Sequence, residues 1–213
     1  MQNQELKIFK YSLVIPTLFL IILWSIEIID YFDNLPLFLL GNHPRHLTGL
    51  IGIILSPLIH SDFNHLLSNS LPIVILGTGL IFFYRELAYK VIILVWLLSG
   101  LFVWIGAREY YHIGASGLIY GIASFLFFSG IVRKDNRLTA ISLLVVFLYG
   151  GLVWGVFPVF PKISWEYHLF GAISGFVLAL VYRKEGPAVP FVEKNEEFDE
   201  SIEDGEIQNP PRI

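Results

Sequence analysis

The sequence predicts an all-α membrane protein, a polytopic bundle of six transmembrane helices with a first loop partly embedded in the membrane. Three observations carry this reading. Hydrophobic residues make up 55% of the 213-residue chain and charged residues 15%, against roughly 45–50% and about 25% in soluble domains. Apolar runs recur along the chain at lengths suited to a hydrocarbon core of ~30 Å. Lys and Arg gather at alternate ends of those runs, as they do in proteins that cross a bilayer repeatedly.

Residues 1–10 form a short polar N-terminus carrying Lys7 and Lys10. The six-helix domain is expected over 11–184. Its first span, 11–29, is too long for a signal-peptide core and is followed by no small-x-small cleavage site. Pro16 is tolerable within such a helix, and Glu27 lies near its far end. Residues 30–63 hold two apolar pieces, 35–40 and 47–59, each too short to span; they read as interfacial or re-entrant segments. The second span, 65–84, carries Asn69 and Pro72. The third is 91–107, the fourth 116–132, the fifth 138–157 and the sixth 165–182. Trp104, Trp154 and Trp165 suit an outer aromatic belt. From 185 to 213 the chain is rich in Glu, Asp and Pro and reads as an acidic, disordered tail.

Six spans put both termini on one side. Lys7, Lys10, Arg85, Lys90, Arg133, Lys134, Arg137, Arg183 and Lys184 lie on that side, and Arg45, Arg108 and Lys162 on the other. The positive-inside rule makes the termini cytoplasmic. The ends of the spans at His65, Ser116 and Trp165 then face outward.

Some function classes fall away early. The chain has no cysteine, which excludes disulfides, thiolate metal sites and a cysteine nucleophile. The net charge of −4 owes much to the tail, and nothing resembles a basic patch for nucleic acid. No cofactor is implied. A metal site from His60, His65 and His168 is possible by residue type but lacks a carboxylate at ligand spacing.

Polar residues inside spans are costly and therefore functional candidates. His65 and Asn69 are one turn apart on one face of the second span. Ser116 opens the fourth, within Gly114-Ala115-Ser116-Gly117, and shares a face with Tyr120. His168 lies one turn into the sixth. Gly117 with Gly121, and Gly171 with Gly175, form small-xxx-small pairs that let membrane helices approach closely. If those faces meet, His168 can take the Ser116 proton and return it to a leaving amine. His65 and Asn69 are then placed to donate to an oxyanion. Each residue also has a plainer reading. Ser116 can cap a helix, His65 and Asn69 can join helices, His60 can be an exposed loop residue, and Tyr120 can be core.

Taken together, the ordered motifs His60-x4-His65-x3-Asn69, Gly114-Ala115-Ser116-Gly117 with Tyr120, and His168-x-x-Gly171-x-x-x-Gly175 resemble the rhomboid family of intramembrane serine proteases, in its six-helix bacterial form. The resemblance covers about residues 10–184. It implies a Ser116–His168 dyad without an aspartate, and an oxyanion site made by His65, Asn69 and the Ser116 backbone N–H. It implies that His60 lines a water-filled cavity and that Tyr120 packs on the His168 ring. Gly114 and Gly117 would keep the serine region tight. Span five and the loop 158–164 would form the lateral gate and cap. Substrates would be transmembrane helices of other proteins, cut near the outer surface of the cell membrane. A catalytically inactive rhomboid-like protein that binds transmembrane clients is the main alternative, and a small transporter a lesser one. Two features depart from the family pattern. Arg45 follows Pro44 where a Trp-Arg pair is common. Glu166, two residues before the base, either tunes His168 or faces the outer water.

Overall fold

The computed structural model describes residues 2–134, 136–148, 155–158 and 164–186. The acidic tail beyond 186, the end of span five at 149–154 and most of the loop at 159–163 lie outside the described residues. Among the described residues six helices of 13 residues or more make the fold, four of them long and apolar enough to cross a membrane, and the only β-type pairing is an isolated bridge between Asn42 and His112.

Helix α1 is Gln2–Asp33. It is apolar around its whole circumference and sits at the edge of the bundle, with only 22% of its apolar window buried, against 67% for the central helix α5. A helix exposing that much Leu, Ile and Phe suits a hydrocarbon solvent and not water. Pro16 lies inside α1 and packs on Gly77, where a Cβ would come within 2.9 Å of the proline ring.

The first loop holds short helical turns at Leu37–Leu40, Leu47–Ile51 and Ser56–Leu58, and one α-turn, α2, at Gly52–Leu55. It is pinned across the bundle. The Asn42 side chain donates to the Gly100 carbonyl at 2.7 Å, and the Arg45 guanidinium to the Ala107 carbonyl at 2.8 Å. The Trp104 indole donates to the His46 carbonyl at 2.9 Å. Arg45 thus fastens the loop from a position that lacks the tryptophan neighbour usual in the family pattern.

Helix α3, Phe63–Tyr84, starts at an N-cap, Asp62, whose carboxylate accepts from the His65 backbone N–H at 2.9 Å. This is the standard side-chain remedy for unpaired helix-start amides. Arg85, in the left-handed region at φ +46°, joins it to α4, Glu86–Gly106. Helix α5 is Ser116–Arg133 and ends at left-handed Lys134. Helix α6 is Asn136–Leu148 and α7 is Trp165–Val181.

The core lies where α5 packs on α3, α4 and α7. Leu66, Leu76 and Leu80 of α3, Val91 and Val95 of α4, and Phe125 and Leu126 of α5 are all fully buried. Between α5 and α7 the glycine pairs let backbone touch backbone. A Cβ at Gly171 would collide with the Gly117 carbonyl, and one at Gly175 with the Gly121 carbonyl. Without a large hydrophobic driving force inside a bilayer, such close van der Waals contact is what holds helices together.

Candidate active site

Three backbone devices set the start of α5. Gly114 has φ +110°, a conformation open to glycine and strained for other residues. Its N–H donates to the Ser56 carbonyl at 2.9 Å. The next N–H, of Ala115, points at Nε2 of His60 at 3.4 Å. The chain therefore turns sharply and delivers Ser116 as the first residue of the helix. Ser116 is buried, and its hydroxyl makes no hydrogen bond to any described residue, His168 included.

His65 and Asn69 flank this turn from α3. A Cβ on Gly114 would lie 2.8 Å from Cε1 of His65, 2.9 Å from its Nε2 and 4.0 Å from Nδ2 of Asn69. The glycine is thus required twice, for its dihedral angle and for the two side chains seated against it. Nδ1 of His65 faces the Ser61 N–H at 3.5 Å and the Ser61 hydroxyl at 3.2 Å, and that hydroxyl also reaches the Asp62 carboxylate at 2.9 Å. With Nδ1 accepting from the Ser61 N–H, the ring proton sits on Nε2, beside Gly114. Nδ2 of Asn69 is buried and has no partner among the described residues. Buried donors are normally paired, so two N–H groups converge on the Ser116 turn with capacity to spare.

Asp62 itself is held below the usual carboxylate range, first by the His65 backbone N–H and then by the Ser61 hydroxyl. His60 is 3% exposed and edge-on to the His65 ring at 5.0 Å. It is a buried support under Ala115, not an exposed loop histidine.

His168 comes from the first turn of α7. Its ring lies flat on Tyr120 of α5, with centroids 4.2 Å apart and planes 6° apart. Nδ1 lies 2.9 Å from the Gly155 carbonyl. A carbonyl only accepts, so Nδ1 carries the proton and Nε2 keeps a free lone pair. A fixed tautomer of this kind is what a general base requires.

The neighbours of His168 do not serve the same purpose. Tyr167 is fully buried, packs on Gly117 and shares a hydrogen bond with the Ser56 hydroxyl. The same Ser56 holds Gly114 through its carbonyl, so one residue of the first loop ties the Ser116 turn to the start of α7. Glu166 does not face the outer water. It is buried and forms a two-point ion pair with Arg108, whose Nη2 lies 3.1 Å from Oε2 and whose Nε contacts Oε1. The carboxylate hydrogen bond holds Arg108 above its usual range. His112 completes this support. Its Nε2 donates to the Arg108 carbonyl at 2.9 Å, and its Nδ1 accepts from the Ser164 hydroxyl at 2.6 Å. Burial holds the His112 imidazole below its ordinary range, in keeping with a neutral ring in that pair of bonds.

Gly155, Tyr167, Ser56 and the Arg108–Glu166 pair did not emerge from the sequence. Gly155 carried the one available signal, a glycine at the outer end of span five. Its role depends on a carbonyl, which every residue has.

A family model of the Rhomboid domain matches residues 47–185. The chain belongs to the rhomboid family. Among relatives of this rhomboid, an uncharacterized protein of Mycobacterium tuberculosis is 35% identical over 177 residues, a match covering 76% of this chain and 71% of that protein. A second, from Mycobacterium leprae and also uncharacterized, is 34% identical over 173 residues, covering 76% of this chain and 67% of that protein. A Bacillus subtilis protein named "Putative rhomboid protease YdcA" is 32% identical over 135 residues, covering 60% of this chain and 66% of that protein. Family and apolar helices make this rhomboid an integral protein of a lipid bilayer. Its class is that of a rhomboid-type intramembrane protease or an inactive rhomboid-like protein.

Proposed function

We propose that this rhomboid is an intramembrane serine endopeptidase, with Ser116 as nucleophile and His168 as general base. The observation that carries the reading is the pose of His168. Its Nδ1 is committed to the Gly155 carbonyl and its face to Tyr120, which leaves Nε2 free as acceptor on a helix in backbone contact with the one that Ser116 opens. The resting hydroxyl is not bonded to that lone pair, and catalytic hydrogen bonds are often loose or unformed without substrate.

In the proposed reaction, Nε2 of His168 takes the Ser116 proton as Oγ attacks the scissile carbonyl. The carbonyl oxygen becomes an oxyanion held by the Ser116 backbone N–H, His65 and Asn69. The imidazolium then protonates the departing amine, leaving an acyl-enzyme. Water, deprotonated by the same imidazole, hydrolyses the ester and restores Ser116. The substrate class is a peptide bond in or next to a transmembrane segment of another protein. The positive-inside count supports cytoplasmic termini and a site opening to the outer side of a bacterial cell membrane.

The test is labelling of the purified full chain with a fluorophosphonate, which phosphonylates an activated serine. Labelling of the wild type that vanishes in Ser116→Ala and His168→Ala supports the protease. A correctly folded wild type that neither labels nor cleaves any transmembrane peptide is the inactive, client-binding form instead.

A further inference from the structure

A second cluster of ligand-type side chains lies away from the dyad, on the first loop. One donor atom each from His43, His46 and Glu109 falls within 4.8 Å of the other two. The His43 and His46 rings are stacked, with centroids 3.9 Å apart and planes 1° apart. Nε2 of His46 is 2.9 Å from Oε1 of Glu109.

We propose that His43, His46 and Glu109 bind a borderline divalent transition metal, with Zn2+ as the reference ion. Two imidazoles and one carboxylate are the donor set that suits zinc, and three protein ligands leave a position open for water. Donors sharing one zinc at ~2.1 Å each are at most about 4.2 Å apart. The separations close on an ion with sub-ångström shifts, and the stacked rings must also turn so that their in-plane lone pairs converge. The half-exposed His46 and the exposed Glu109 can make them, with side-chain accessibilities of 47% and 65%. With the metal on Nε2 of His46 in place of its contact to the carboxylate, the neutral ring carries its proton on Nδ1 instead.

The backbone that presents the two histidines is already fixed. Arg45 between them sits at φ +63°, which folds the turn so that the His46 N–H reaches the His43 carbonyl at 3.3 Å. The Arg45 N–H is bound by the Trp104 carbonyl at 3.0 Å. Gly49 presses on the His43 backbone so closely that a Cβ there would collide with it. The His43 ring also rests on Tyr111, with centroids 4.5 Å apart. None of these contacts is made by a residue placed at the Ser116 site. An ion here would bind the first loop to the α4–α5 loop, the segment that runs on into Gly114 and Ser116.

The experiment is calorimetric titration of the untagged full chain in detergent with Zn2+, and with Mg2+ and Ca2+ as hard-cation comparators. It needs no catalytic turnover, so its outcome stands apart from the protease assignment. The expected result is one zinc per chain and no heat from Mg2+ or Ca2+. Affinity should fall at least about tenfold in each of His43→Ala, His46→Ala and Glu109→Gln, since even outer-shell changes cost that much. Glu109→Gln keeps the side-chain shape on an exposed position, so it reports ligation with the fold intact. Absence of zinc binding, or binding with unchanged affinity in all three variants, overturns the proposal.

Discussion

Nδ1 of His168 donates to the backbone carbonyl of Gly155 at 2.9 Å, and among the described residues no carboxylate hydrogen-bonds the imidazole. A triad aspartate holds the ring tautomer and offsets the charge of the imidazolium. Here a peptide dipole does the first task and does less of the second, while Tyr120 fixes the ring plane from its face.

Gly155→Ala should cost activity through position alone. A Cβ there would lie 2.8 Å from Nδ1 of His168 and collide with the Tyr120 hydroxyl. A displacement approaching an ångström lowers turnover by about 10²-fold. Tyr120→Phe removes the colliding hydroxyl and keeps the stacked ring. The double variant Gly155→Ala/Tyr120→Phe should therefore label with fluorophosphonate faster than Gly155→Ala alone. Equal rates in the two variants would mean that the hydroxyl clash is not the cause.

Asn69→Ala should separate catalysis from stability. The Nδ2 group of Asn69 is buried without a partner among the described residues, so its loss breaks no hydrogen bond seen there. Loss of an oxyanion donor typically costs ~2.7–4 kcal/mol, about 10²–10³ in kcat. Turnover of a transmembrane peptide should fall by that factor while Tm stays within a few degrees. A drop in Tm with kcat preserved would assign Asn69 to helix joining instead.

The Arg108–Glu166 pair should respond asymmetrically. Arg108→Ala leaves the buried Glu166 carboxylate unpaired, whereas Glu166→Gln leaves a half-exposed guanidinium that water can solvate. Breaking a fully buried pair costs ~3–5 kcal/mol, and partial exposure brings this nearer about 1–3. Thermal unfolding should rank Arg108→Ala as the more damaging. Adding Glu166→Gln to it should recover part of the loss.

His112 predicts a pH effect of definite sign. Its folded pKa is depressed, so the unfolded chain binds the proton first. Stability is therefore complete above the unfolded value near 6.5 and declines as pH falls below it, toward the lower folded value. Protonation also removes the acceptor that Nδ1 offers to Ser164. The wild type should lose more Tm between neutral and mildly acidic pH than His112→Gln does. A parallel loss in both would place the titration elsewhere.

Hydropathy made the fold class legible because a bilayer imposes length and polarity on every helix that crosses it. It marks the apolar portion and not the helix itself, and so α1 begins at Gln2, well before the apolar run at Tyr11. The meeting of Gly117 with Gly171 was legible for a similar reason, since small residues one turn apart have few other uses in a membrane. Contacts made across long sequence separations left no periodic trace. Glu166 reads as an oddity until Arg108 is placed beside it, and Ser56 carries no local sign that it holds both Gly114 and Tyr167. Gly155 was hidden for a different reason: its part is played by a peptide group, and sequence patterns record side chains.

The backbone contact between α5 and α7 leaves no compressible layer between the helices that carry Ser116 and His168. Side chains can repack around a shifted neighbour, but two carbonyls pressed against two Cα atoms can only separate or stay. The pair therefore behaves as a single stiff body, and prying it apart would separate Ser116 from His168. Any breathing that admits a polypeptide must be borne by the surrounding helices and loops. Variants that loosen those outer parts can change how fast the site fills, whereas variants along the α5–α7 seam change whether there is a site at all.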